Sequence, residues 1–287
     1  MRLALCNEVL RDRDFAAQCV YAAALGYDAL EVAPFTLGDD PLALSPRART
    51  NARRAASDAG IAISGLHWLL VKPEGLSVTS PERTVRTRTI EAIRALVALC
   101  ADLGGGYLVH GSPAQRRTPP GVDAAAARAW IAEALDAAAQ AARAAGVLYL
   151  IEPLPADETD QVNTLDEAIA LVRQVDSPAL ATMLDTKSAA LAESVPAVDL
   201  LRRWLPSGYI RHVQLNDRNR RGPGQGEDRF APILAALIAG GYAGDVAIEP
   251  FDYVPDASGC AARAAGYVRG LLEALGRSSV GEPVSSA

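Results

Sequence analysis

Short apolar runs rich in β-branched residues alternate along the chain with longer stretches, rich in alanine, leucine and arginine, that have helical period. Eight such runs stand out: LALCNEV from Leu3, DALEVAP from Asp28, IAISGLHWLL from Ile61, GYLVHG from Gly106, VLYLIEP from Val147, LATMLD from Leu180, YIRHVQLN from Tyr209 and DVAIEP from Asp245. A helix candidate follows each, among them DFAAQCVYAAALG, SPRARTNARRAASDAG, SPERTVRTRTIEAIRALVALCADLG and DAAAARAWIAEALDAAAQAARAAG. These open on Asp or Ser-Pro and close on Gly, the start and stop signals of helices. Eight strand–helix units with no linker between them predict an α/β fold, a single (β/α)8 TIM barrel over residues 1–275. The competing open, doubly wound sheet is disfavoured because no G-x-G-x-x-G follows the first strand. The last stretch, GRSSVGEPVSSA over 276–287, is small and polar and reads as a flexible tail.

Composition narrows the function classes. The chain has 287 residues, half of them hydrophobic, enough for a large core. A net charge of -6 and a pI near 5.2 give no general attraction to nucleic acid. Charged residues come too early for a secretory leader, and no stretch is long and apolar enough for a membrane span, so a cytoplasmic location is expected. Cys6, Cys19, Cys100 and Cys260 have no metal-binding or redox spacing and are expected to be buried, reduced thiols.

Barrel chemistry belongs at the C-terminal strand ends, and the polar residues there played no part in locating the strands. They are Asn7 and Glu8, Glu31, His67, His110, Glu152, Asp185, Gln214 and Glu249. Glu152, Asp185, Gln214 and Glu249 end neighbouring strands five to eight, the first and last inside repeated IEP sequences, and would converge above the rim. Three carboxylates held that close repel unless a cation neutralises them. Three carboxylates and an amide suit one hard or borderline divalent ion, Mn²⁺ foremost with Mg²⁺ or Co²⁺ as alternatives, better than Zn²⁺. A ring salt-bridged to Arg211, Arg220 or Lys187 is the purely structural alternative.

The order of Glu on strand five, Asp on strand six, HVQ on strand seven followed by Arg and a G-x-G-E turn, and Glu on strand eight resembles the xylose-isomerase-like TIM-barrel superfamily. Ketose 3-epimerases, hydroxypyruvate isomerases and inosose-processing enzymes are the nearest groups. The resemblance implies a metal-dependent isomerase or epimerase that takes a proton from the carbon beside a ketone, passing through a cis-enediolate. It implies that Glu152 and Glu249 are the acid/base pair and that Gln214, not the adjacent His212, is the seventh-strand ligand. Glu158 and Arg220 sit at the spacings of substrate-binding residues. The NDRNRR segment would place Arg220, with Asp217, over the substrate, and GPGQGE would turn the chain into the next helix. Homodimers or homotetramers are implied by the resemblance alone.

One departure concerns the substrate. Many relatives carry His three positions after the strand-six Asp, where this chain reads DTKS, with Ser188 at that position and Lys187 before it. His67 and His110 are expected to compensate as neutral donors to a substrate hydroxyl, and Trp68 to cap an apolar substrate edge or to pack beneath its loop. An endonuclease-IV-like phosphodiesterase is disfavoured, since its three-zinc cluster needs more than the three histidines present, His67, His110 and His212. A lyase or dehydratase acting on a keto-cyclitol or an oxidised C-glycoside shares the first step and stays open. The substrate in either case is a small sugar or cyclitol, with neither nucleic acid nor membrane as partner.

Overall fold

The computed structural model describes residues 1–276; most of the stretch expected to be a tail, 277–287, lies outside them. Eight parallel strands close in sequence order: β1 (Arg2–Cys6), β2 (Ala29–Val32), β3 (Ala62–Leu66), β4 (Tyr107–His110), β5 (Leu148–Ile151), β6 (Leu180–Asp185), β7 (Ile210–Leu215) and β8 (Asp245–Ile248), with β8 pairing back onto β1. Every strand falls within its predicted run except β1, which begins one residue earlier, at Arg2. The outer layer comprises α1 (Phe15–Ala24), α2 (Pro46–Asp58), α3 (Arg83–Leu103), α4 (Pro113–Arg116), α5 (Ala124–Ala145), α6 (Leu165–Val175), α7 (Thr186–Ala192), α8 (Ala197–Trp204), α9 (Ala231–Ala239) and α10 (Ala257–Ala274).

The helix signals act as predicted in three of the four stretches. Asp14, Ser45 and Asp123 each accept a backbone N–H of the first turn of α1, α2 and α5. Gly104 and Gly146 close α3 and α5 in the left-handed conformation that glycine adopts without strain. In α3 the predicted opening Ser80-Pro81 stays outside the helix, which starts at Arg83.

The main core lies between sheet and helices. The barrel interior is a separate, uneven packing. Tyr107, Val109, Leu150, Ala181 and Met183 fill the side of β4–β6, whereas Ala4, Cys6, Ala29, Ala62 and Ala247 line the opposite side. Side chains alternate along a strand with period two. Continuing the inward set by two positions from Leu150, Met183, His212 and Ala247 arrives at Glu152, Asp185, Gln214 and Glu249. The four sequence-predicted ligands therefore share one parity and project into the mouth of the barrel.

Candidate active site

Carboxylate oxygens of Glu152, Asp185 and Glu249 lie within 4.8 Å of one another, and all three side chains are buried. Gln214 stands beside Asp185 in register, fully buried. Its Nε2 donates to Glu31 Oε1 at 2.7 Å while its Oε1 finds no partner among the described residues, and Asp185 Oδ2 is likewise without one among them. Buried oxygens left without donors cost free energy that a bound ligand recovers.

Local backbone explains how the carboxylates reach these places. Asp185 ends β6 and caps α7, its Oδ1 accepting from Ser188 N at 2.6 Å, which leaves Oδ2 for the cluster. Gly111, after β4, leaves room for Glu152, because a Cβ there would meet Glu152 Oε2 at 2.3 Å. Asn216 ties three strand ends together. Its Oδ1 accepts from Lys187 N at 2.9 Å, and its Nδ2 donates to the Glu249 carbonyl at 3.0 Å.

Charge in the mouth is unbalanced. Glu8, Glu31, Glu152, Glu158, Asp185 and Glu249 face Lys187, Arg116 and the imidazoles of His67 and His212. Burial, then Glu249 and Asp185, push the Glu152 carboxyl well above its usual range. Burial raises Glu249 to about 8, with Asp185 and Glu8 adding to the shift and His67 opposing it. Burial also works against charge on Glu31, yet His212, His67 and Tyr107 hold that carboxyl down to about 2.

The predicted substrate residues are placed unevenly. Lys187 is buried and donates to Glu158 Oε1 at 2.7 Å, with its ammonium 5.0 Å from the Phe251 ring centre. Burial opposes its charge, but Asp185, Glu158 and Glu152 raise its pKa. His110 fits the expectation of a neutral imidazole, lowered to about 3 by burial and then by Arg116. Its Nδ1 is bonded to Tyr149 Oη at 2.8 Å and its buried Nε2 is unpartnered. Ser188 Oγ is also buried and unpartnered.

His67 departs from the expectation. Its Nδ1 is hydrogen-bonded to Glu249 Oε1 at 3.0 Å and its Nε2 lies 2.9 Å from Glu8 Oε2, an ion-pair distance, so a carboxylate stands beside each nitrogen. Burial disfavours the imidazolium, but the two flanking glutamates outweigh it and raise the His67 pKa well above its ordinary value. Asp217 also departs from it: Asp217 is buried and organises its own loop, accepting from the backbone N–H of Asn219 and of Asp228. Arg220 is exposed at a positive φ of 69°, and its carbonyl, accepting from Phe251 N and Asp252 N, docks the β7 loop on the end of β8. Trp68 stacks on Phe251 at 6.0 Å and lies 5.7 Å from Phe35, forming an aromatic roof over this side of the mouth.

Sequence reading gave no role to Arg116, a fully buried guanidinium that donates to the His110 and Val162 carbonyls and lies near enough to Glu152 and Glu158 to feel their charge. Its only signal was its place in the polar segment GSPAQRR behind strand four. Glu31 stood among the strand-end residues, but nothing in the sequence indicated that His212 Nε2, at 2.7 Å, would pair with it.

The family profile described as "Xylose isomerase-like TIM barrel" matches residues 19–272. The chain belongs to this family. It is similar to the L-ribulose 3-epimerase of Mesorhizobium japonicum, 32% identical over 197 residues that span 67% of this chain and 62% of that protein. It is also similar to a D-psicose 3-epimerase of Ruminiclostridium cellulolyticum, 27% identical over 84% of this chain and 79% of the relative. Among solved structures, a D-psicose 3-epimerase determined in the presence of D-fructose superposes with a TM-score of 0.82 at 22% identity, covering 95% of this chain and 99% of the other. The 3-keto-D-glucoside 4-epimerase of E. coli superposes with a TM-score of 0.80 at 18% identity, covering 94% and 99%. These two likenesses show the shared fold, and the two sequence relatives are themselves ketose 3-epimerases.

Proposed function

We propose that this protein is a divalent-metal-dependent sugar epimerase or isomerase that moves a proton on the carbon beside a ketone, with Glu152 and Glu249 as the acid/base pair. The observation that carries the reading is the buried trio Glu152, Asp185 and Glu249 beside two unpartnered oxygens, Gln214 Oε1 and Asp185 Oδ2. The donor set, all oxygen, fits Mn²⁺, with Mg²⁺ or Co²⁺ as alternatives, held by Glu152, Asp185, Gln214 and Glu249. Such an ion would stabilise the negative charge that develops on the substrate's ketone oxygen.

The chain's own groups do the rest. Glu152 and Glu249 come from β5 and β8 with the Asp185 and Gln214 strands between them, so their carboxyl groups reach a substrate carbon from two sides. Carboxylates are able to take and return a proton from a carbon beside a ketone once they are held against it. Removal by one and return by the other inverts the carbon. Lys187 and Glu158 form a charged pair able to hold a hydroxyl, and Arg220 stands at the outer rim for a further substrate oxygen. When Tyr149 donates to His110 Nδ1, His110 presents Nε2–H as another donor.

The aromatic roof favours a second reading within the same chemistry. Three rings, Phe35, Trp68 and Phe251, suit the apolar face of a ring-closed keto-sugar or keto-cyclitol, from which a leaving group could depart after the same first step. The test is deuterium incorporation followed by NMR, with Mn²⁺-loaded protein in D₂O, a panel of free ketoses, a 3-keto-glucoside and 2-keto-inositol. Label beside the ketone, a new epimer and its loss in Glu152→Gln and Glu249→Gln are expected. Elimination products without epimer would select the lyase; no label from any substrate would sink both readings.

A further inference from the structure

We infer that Glu31 is a positioning residue that decides which end of the Gln214 amide faces the carboxylate cluster. The inference rests on the proposed metal site and adds a group that touches neither metal nor substrate. A primary amide has two ends of nearly equal size and opposite chemistry. Its oxygen offers lone pairs to a cation, and its nitrogen offers only hydrogens. An unrestrained Gln214 could turn either end towards Glu152, Asp185 and Glu249.

Glu31 removes that freedom by geometry. It lies on β2, inside the barrel and fully buried, and its Oε1 accepts from Gln214 Nε2 at 2.7 Å. Its Oε2 accepts from Tyr107 Oη and lies 2.7 Å from His212 Nε2, so the carboxylate is held from the far side as well. A carboxylate with these donors around it can only accept, and a flipped amide would set its oxygen against Oε1. The unpartnered Gln214 Oε1 follows from this arrangement. Glu31 and Gln214 are 183 residues apart in sequence, joined across the barrel interior.

The experiment measures Mn²⁺ affinity by calorimetry, and folding by circular dichroism, for wild type, Gln214→Ala, Gln214→Glu, Glu31→Gln and the exchanged pair Glu31→Gln/Gln214→Glu. Glu31→Gln is expected to fold and to bind Mn²⁺ about 10- to 100-fold more weakly, the usual effect of losing a group that orients a ligand. The exchanged pair again sets a donor against an acceptor and is expected to recover most of the affinity. Because a fourth carboxylate alone strengthens cation binding, Gln214→Glu by itself is the reference, and a merely structural Glu31 would leave the exchanged pair no tighter than that single variant. Wild-type affinity in folded Glu31→Gln, or a folded exchanged pair no tighter than Gln214→Glu, overturns the inference. Should neither variant fold, a crystal structure of the wild-type protein with Mn²⁺ decides. Gln214 Oε1 on the ion with Nε2 on Glu31 supports the inference, and Gln214 turned away overturns it. Failure of the underlying metal reading looks different: wild type binds no divalent ion, or Gln214→Ala binds as well as wild type.

Discussion

Substitution Gly111→Ala tests whether the position of Glu152 matters independently of its chemistry. The added Cβ would lie 2.3 Å from Glu152 Oε2 and 3.4 Å from its Cδ. Carbon–oxygen contacts settle at about 3.3 Å, so Oε2 must retreat by about 1 Å. The backbone itself accepts alanine, because Gly111 is not among the positive-φ glycines. Relief of such a clash costs about 1–3 kcal/mol of stability, which a protein of this size survives. A catalytic group misplaced by about 1 Å loses on the order of 100-fold in rate, or about 2.7 kcal/mol. The expected result is a folded protein with kcat/KM for deuterium exchange down by about that factor and weakened Mn²⁺ binding. Gly106→Ala is the control, since a Cβ there meets nothing closer than Ser64 O at 3.8 Å. A folded Gly111→Ala with wild-type exchange would show that the Glu152 carboxyl has slack, and would refute its role as a fixed proton donor.

Two further outcomes follow from the charges. Glu249 is raised from 4.5 to about 8, so the folded metal-free protein keeps a proton that the unfolded chain releases. Stability of the metal-free form should therefore fall as pH rises between these values, by about 1.4 kcal/mol per unit from this group. Mn²⁺ must displace that proton, so its affinity should rise with pH over the same interval; a Tm of the metal-free protein that is flat or rising from about pH 6 to about pH 8 would contradict the charge assignment. Replacing Lys187 with Met removes the ammonium 2.7 Å from Glu158, a charged hydrogen bond of about 1.5–3 kcal/mol. Steady-state kinetics should show kcat/KM reduced by about 10- to 100-fold and calorimetry should show tighter Mn²⁺ binding, whereas unchanged kinetics would remove Lys187 from the substrate site.

The strands and the four candidate ligands were legible because both depend on local pattern. Apolar runs marked the strands, and parity then fixed which strand-end residues point inward. The supporting groups were not legible, because closure of the barrel brings together residues far apart in sequence. His67 and Glu249 are 182 positions apart, and nothing near His67 announces that it will lie between two glutamates. Arg116 has the same origin: a short arginine-rich segment looks solvated until the β4 and β5 loops fold over it. Asp217 failed for the opposite reason. Its own neighbours supplied backbone donors, so a residue that looked aimed at substrate became the organiser of a turn.

The amide of Asn216 joins the ends of β6, β7 and β8 beneath the loops that roof the mouth. Its bonds to the Lys187 N–H and the Glu249 carbonyl are to backbone atoms, so they constrain the spacing of three ligand-bearing strands whatever side chains the loops above them carry. Trp68, Phe35 and Arg220 stand outside that brace. A lineage could exchange them, and with them the sugar that is recognised, without resetting the distances among the carboxylates below.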